Sequence, residues 1–217
     1  AQIVEEENPK TGKKKQVQIF PRYHQLDVVR RVLADVKQNQ VGKRYLIQHS
    51  AGSGKSNSIA WLAHQLSGLR VAGAEVFDSI IVITDRRILD KQIRETIKGF
   101  SQVGSMIGAV KDGAGSSKTD QLAGFLKQGK KIIISTVQTF PFVLDRIGEE
   151  HRGRKFAILI DEAHSSQGGR TAAAMSRALS EDGADSSAEG EEETTEDKIN
   201  RIIESKKLLS NASYFAF

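Results

Sequence analysis

Apolar positions recur along this chain in two rhythms. In HQLDVVRRVLADVKQ, Leu26, Val29, Leu33 and Val36 fall three and four residues apart, the spacing that lines one face of a helix. Elsewhere apolar residues run on without a break. SIIVIT, KIIIST, FAILID and the closing ASYFAF are runs of strand length, and RYLIQ is a shorter one. Helical spacing returns between them in SIAWLAHQL, DRRILDKQIRETIKGF and KTDQLAGFLKQ, while QVGSMIGAV predicts another strand and GLRVAGAE a turn. Strands that are apolar throughout and alternate with helices predict an α/β fold, a parallel sheet with helices on both faces. No internal repeat is present.

Two segments stand outside this pattern. Residues 1–16 are polar, with Lys13, Lys14 and Lys15 in a row, and read as a linker from a preceding domain. Residues 181–197, EDGADSSAEGEEETTED, carry nine acids and no base. Self-repulsion and the lack of apolar residues predict a mobile loop there. The expected lobe therefore runs from 17 to 217.

Charge changes the picture more than composition does. The net charge of +5 over 217 residues conceals the acidic segment. Without it, 32 basic residues stand against 18 acidic ones, an excess of 14. A body of that sign attracts polyanions, of which phosphate backbones are the commonest. There is no cysteine, which excludes a disulfide scaffold and a thiolate metal site and fits a reducing cytoplasm. No apolar window reaches membrane-spanning length, and the polar, acidic opening is not a signal peptide. The missing initiator methionine leads us to expect a fragment or a processed chain.

Chemistry concentrates in two places. Ala51-Gly52-Ser53-Gly54-Lys55-Ser56 lies between a predicted strand and a predicted helix. Glycines let the backbone turn tightly, so that several N–H groups and the positive end of the next helix meet one phosphate. Lys55 is expected on an exposed loop, reaching the β- and γ-phosphates, with the Ser56 hydroxyl on Mg²⁺. The full pattern has glycine where this chain has His49, which we read as a loop residue. In the second place, Asp161 closes the FAILID run, followed by Glu162 and then His164. Ligands collect at the carboxyl ends of parallel strands, so the two segments are expected to face each other. Asp161 would hold Mg²⁺ through its water shell, Glu162 would orient and deprotonate the attacking water, and His164 is counted among the nucleotide contacts.

AGSGKS followed by DEAH resembles superfamily-2 helicases and translocases, which implies a RecA-like phosphate-loop lobe. FPRYHQ resembles the adenine-recognition segment, in which Gln25 would read the base edge with support from Phe20 or Arg22. TDRRILDKQ and STVQTF resemble the segments that touch the nucleic-acid backbone, with Arg86, Arg87, Lys91, Thr136 and Gln138 as contacts. Arg86, Arg87 and Lys91 would equally make a solvated face, and Thr136 or Gln138 could cap the helix after KIIIST. Taken together these motifs are most similar to the motor subunit of type I restriction endonucleases, over residues 17–170. That resemblance implies ATP-driven translocation of double-stranded DNA, a nuclease domain earlier in the subunit, and partner subunits for methylation and specificity. It also implies a coupling motif and a second motor lobe beyond Phe217. A small-molecule phosphotransferase and a non-hydrolysing nucleotide module are the rival classes. DEAH and the Gln25 segment oppose the first, and an intact set of Lys55, Asp161 and Glu162 opposes the second.

Overall fold

The computed structural model describes residues 2–7, 14–50, 52–84, 97, 106–110, 117–136, 139–161 and 209–217. Ten strands and four helices are described. The first two strands, β1 (Gln2–Glu7) and β2 (Lys14–Ile19), pair antiparallel, with Val4 opposite Val17. The polar opening, read from its composition as a linker, is thus a two-stranded ladder separate from the main sheet. Helix α1 spans Tyr23–Asn39 and strand β3 is Arg44–Leu46. Helix α2 follows at Lys55–Ser67, and then the predicted turn at GLRVAGAE appears as a small hairpin of β4 (Arg70–Val71) and β5 (Ala74–Glu75).

The remaining elements are β6 (Ser79–Thr84), β7 (Ile107–Ala109), α3 (Lys118–Lys127), β8 (Ile132–Thr136), α4 (Phe140–Glu149), β9 (Phe156–Ile160) and β10 (Ala212–Ala216). Six strands make one sheet in the order β3-β10-β9-β6-β8-β7, and every pairing in it is parallel. Every residue of β6, β9 and β10 is buried, which is why these strands read as unbroken apolar runs. Two cores follow from the alternation of side chains. Val82, Ile134, Leu159 and Phe215 pack with α1 and α2, while Ile81, Ile133, Ile158 and Tyr214 pack with α3 and α4.

The amino edge of the sheet is fastened by polar groups. The Arg154 guanidinium donates to the Leu126 carbonyl (2.6 Å) and to Ser79 Oγ (2.8 Å), and lies 5.4 Å from the Phe156 ring centre. Asn211 Nδ2 donates to the Arg154 carbonyl at 2.9 Å, tying β10 to the turn before β9. With that edge closed, the carboxyl edge carries the chemistry. Among the described residues, no helix is long and apolar enough to cross a membrane.

Candidate nucleotide site at the carboxyl edge

The loop after β3 turns back on itself before α2. Gly52 and Gly54 have φ of 72° and 82°, and Gly54 is the residue that caps α2. A side chain at Gly54 would place Cβ 2.4 Å from Gln25 Nε2. Both the left-handed backbone and the close approach therefore require glycine there. The loop is held from outside by α1. Gln25 is buried; its amide nitrogen donates to the carbonyls of Ser53 (3.1 Å) and Gly54 (3.0 Å), and its oxygen accepts from the Arg22 N–H (2.8 Å). His24 Nε2 donates to the same Ser53 carbonyl at 3.1 Å. His49 Nδ1 lies 3.1 Å from Ser53 Oγ, and its ring stacks on Phe217 at 6.0 Å between centres. Burial first, then the charges of His24 and Lys55, hold the His49 imidazole below its ordinary pKa. The histidine that replaces a glycine is therefore a neutral brace for the loop.

Lys55 and Asp161 meet as the sequence requires, with Nζ 3.2 Å from Oδ1. They do so in more covered surroundings than an exposed loop. Lys55 is the first residue of α2 rather than a loop residue, its side chain is 22% exposed and that of Asp161 is wholly buried. The cover has a physical cause: α2 lies across β6, β8 and β9, so its first turn overhangs the end of β9. Ser56 follows in the same turn, half-buried. Asp161 is fixed by its own backbone, whose N–H donates to the Ile83 carbonyl at 2.9 Å.

The other predicted residues divide. Phe20 is 67% exposed and Arg22 is exposed, both beside Gln25 at the start of α1. Thr136 ends β8 with its hydroxyl buried and, among the described residues, without a hydrogen bond. The hydroxyl that secures the turn into α4 is that of Thr139, which donates to the Thr136 carbonyl (2.7 Å) and bonds Ser135 Oγ. Ala51, Arg86, Arg87, Lys91, Gln138, Glu162 and His164 lie outside the described residues, as does the acidic segment 181–197. Sequence reasoning missed His24 and Thr84. His24 had a signal, since it adjoins Gln25 at the capping position of a helix. Thr84 had one too, as a hydroxyl closing a strand that is apolar from Ile80 to Ile83.

A glycine-rich loop between strand and helix, with Lys55 meeting a buried acid at the carboxyl edge of a parallel sheet, defines a RecA-like phosphate-loop nucleotide-binding lobe. Within that class, the chain belongs to the SWI2/SNF2 ATPase family, whose model matches residues 24–184. Among solved structures it is similar to the crystal structure of T4 UvsW, at 16% sequence identity and a TM-score of 0.46. That match covers 93% of this chain and 30% of that one. No curated protein matches the chain.

Proposed function

We propose that this lobe binds ATP with Mg²⁺ and drives movement along double-stranded DNA, as the motor part of a type I restriction endonuclease subunit. The observation that carries the reading is the convergence of Lys55 and Asp161 at the mouth of the glycine loop. Lys55 is in place to leave Asp161 for the β- and γ-phosphates. Ser56 and Asp161 supply oxygen donors of the kind Mg²⁺ takes, one or two from protein with phosphate and water completing the shell. Bound there, the ion would neutralise charge on the transferred phosphoryl group.

The remaining roles are proposals that follow from the resemblance. Glu162 orients the attacking water, and His164 contacts the nucleotide. The N–H groups of Ala51, Gly52, Ser53 and Gly54 cradle phosphate. Phe20 and Arg22 border the base; the resemblance gives its edge to Gln25, whose amide also anchors the loop beside them. Arg86, Arg87, Lys91, Thr136 and Gln138 meet the DNA backbone, which the basic excess outside 181–197 favours. Methylation and specificity subunits are the proposed partners, with cleavage by a nuclease domain elsewhere in the subunit.

Steady-state ATP hydrolysis by the full-length subunit, with and without linear duplex DNA, tests this. Duplex DNA should raise turnover, and Glu162→Gln should lower the stimulated rate by roughly 10² to 10⁴, the share that general-base catalysis supplies. Turnover indifferent to DNA would contradict the motor reading.

A further inference from the structure

Three strands end in a row on the α2 side of the sheet. Thr136 and Thr84 are register partners on β8 and β6, and Ile83 pairs with Ile160. Thr84 and Asp161 are therefore neighbours one step further on. Register partners in a parallel sheet point to the same face and sit about 4.8 Å apart. The packing agrees, because Val82, Ile134 and Leu159, two residues earlier on each strand, all belong to the core under α1 and α2. On the other side of Asp161 comes Phe217, whose N–H donates to the Ile160 carbonyl at 3.0 Å and whose side chain is fully buried. Among the described residues, Asp161 is thus flanked in its row by an aromatic ring and by one hydroxyl.

That hydroxyl is unspent. Thr84 is fully buried, and Oγ1 makes no hydrogen bond among the described residues. A buried hydroxyl without a partner is costly and is expected to have one in some working state. Lys55 faces Oδ1 of Asp161, and in the proposed reading it is drawn away once phosphates enter. The carboxylate oxygen that Lys55 leaves can then accept a hydrogen bond from its neighbour in the row. A threonine hydroxyl can rotate to donate to a neighbouring carboxylate.

We propose that Thr84 is a positioning residue for the metal site, donating its hydroxyl proton to the Asp161 carboxylate when Mg²⁺ and nucleotide are bound. The inference rests on the reading of Asp161 as a Mg²⁺ partner. Hydrogen bonds to a metal-binding carboxylate fix its direction and basicity, and losing one typically costs about 10- to 100-fold in metal affinity. Thr84 touches neither nucleotide nor metal in this role. Its contribution is confined to the part of nucleotide affinity that Mg²⁺ adds.

The test is calorimetric titration of the 217-residue chain with a non-hydrolysable ATP analogue, in Mg²⁺ and in EDTA, for wild type, Thr84→Val and Thr84→Ser. Melting curves without nucleotide accompany each. Thr84→Val keeps the shape, so its melting temperature should equal or exceed that of wild type, as an unbonded buried hydroxyl has gone. Its Mg²⁺-dependent gain in affinity should fall about tenfold or more, with affinity in EDTA unchanged. Thr84→Ser should retain the gain. Should the valine variant fail to fold, Thr84→Ser against Thr84→Ala makes the same comparison, and equal losses in those two would overturn the proposal. Retention of the full gain by Thr84→Val overturns it while leaving the nucleotide site intact. A wild-type chain whose affinity ignores Mg²⁺ overturns both.

Discussion

Lys55 and Asp161 form an ion pair whose acid has no solvent and whose base has little. Taking a carboxylate out of water is expensive unless a cation faces it. The pair therefore has a structural duty, which in the proposed function Lys55 gives up when phosphates arrive. This sets a limit on a familiar experiment. Lys55→Ala removes the proposed phosphate contact and also the cation facing a buried acid, so loss of activity in that variant mixes two effects. Breaking a fully buried pair costs roughly 3–5 kcal/mol, and the partial exposure of Lys55 places the cost below that. We expect Lys55→Ala to lower the melting temperature and Lys55→Ala/Asp161→Asn to recover part of the loss. Strict additivity of the two single changes in thermal melts would show that the pair contributes nothing to stability.

Among the elements, the join between α1 and the glycine loop was the least legible in the sequence. The strands were legible because burial on both faces leaves an unbroken apolar run, as in SIIVIT and FAILI. Helix α1 was legible because Val29 and Val36 turn inward at helical spacing. Nothing in FPRYHQ says that the Gln25 amide is already occupied, because a glutamine that reads a base and one that ties down a loop are the same letter. The opening ladder was missed for another reason, since β1 and β2 form their own two-stranded sheet and, among the described side chains there, only Ile19 reaches the core of the main sheet. The bonds of Gln25 make a definite prediction. Gln25→Ala strips the Ser53 and Gly54 carbonyls of a donor, a loss of about 1–3 kcal/mol. Melting temperature should fall, and affinities for ATP and GTP should fall by the same factor in calorimetry. A loss confined to ATP would assign the amide to the base instead.

At the scale of the whole molecule, acidity and charge bear on different properties. His49, His64 and His151 are all held below the ordinary imidazole pKa, with burial the largest cause in each. The unfolded chain therefore binds more protons than the folded one once pH drops below about 6.5. Stability rises with pH wherever that holds, so it is lost progressively as pH falls from 6.5 towards the folded-state values. Asp35 and Glu75, whose pKa values are lowered by their hydrogen bonds to Tyr45 and Lys131, lose their contribution only in a more acidic window. Thermal melts between pH 7.5 and 5.5 should thus decline, and His49→Gln should flatten part of that decline; a melting temperature constant over this range would contradict the assignment of neutral, buried rings. Charge concerns partners rather than stability. The basic excess outside residues 181–197 supplies long-range attraction for a phosphate backbone, which in the proposed function ATP turns into motion. The most direct measurement is displacement of a third strand from duplex DNA by the full-length subunit, with the triplex set at increasing distances from the loading site. ATP-dependent displacement is expected after a delay that lengthens in proportion to distance. Displacement without ATP, or with a delay that ignores distance, would contradict it.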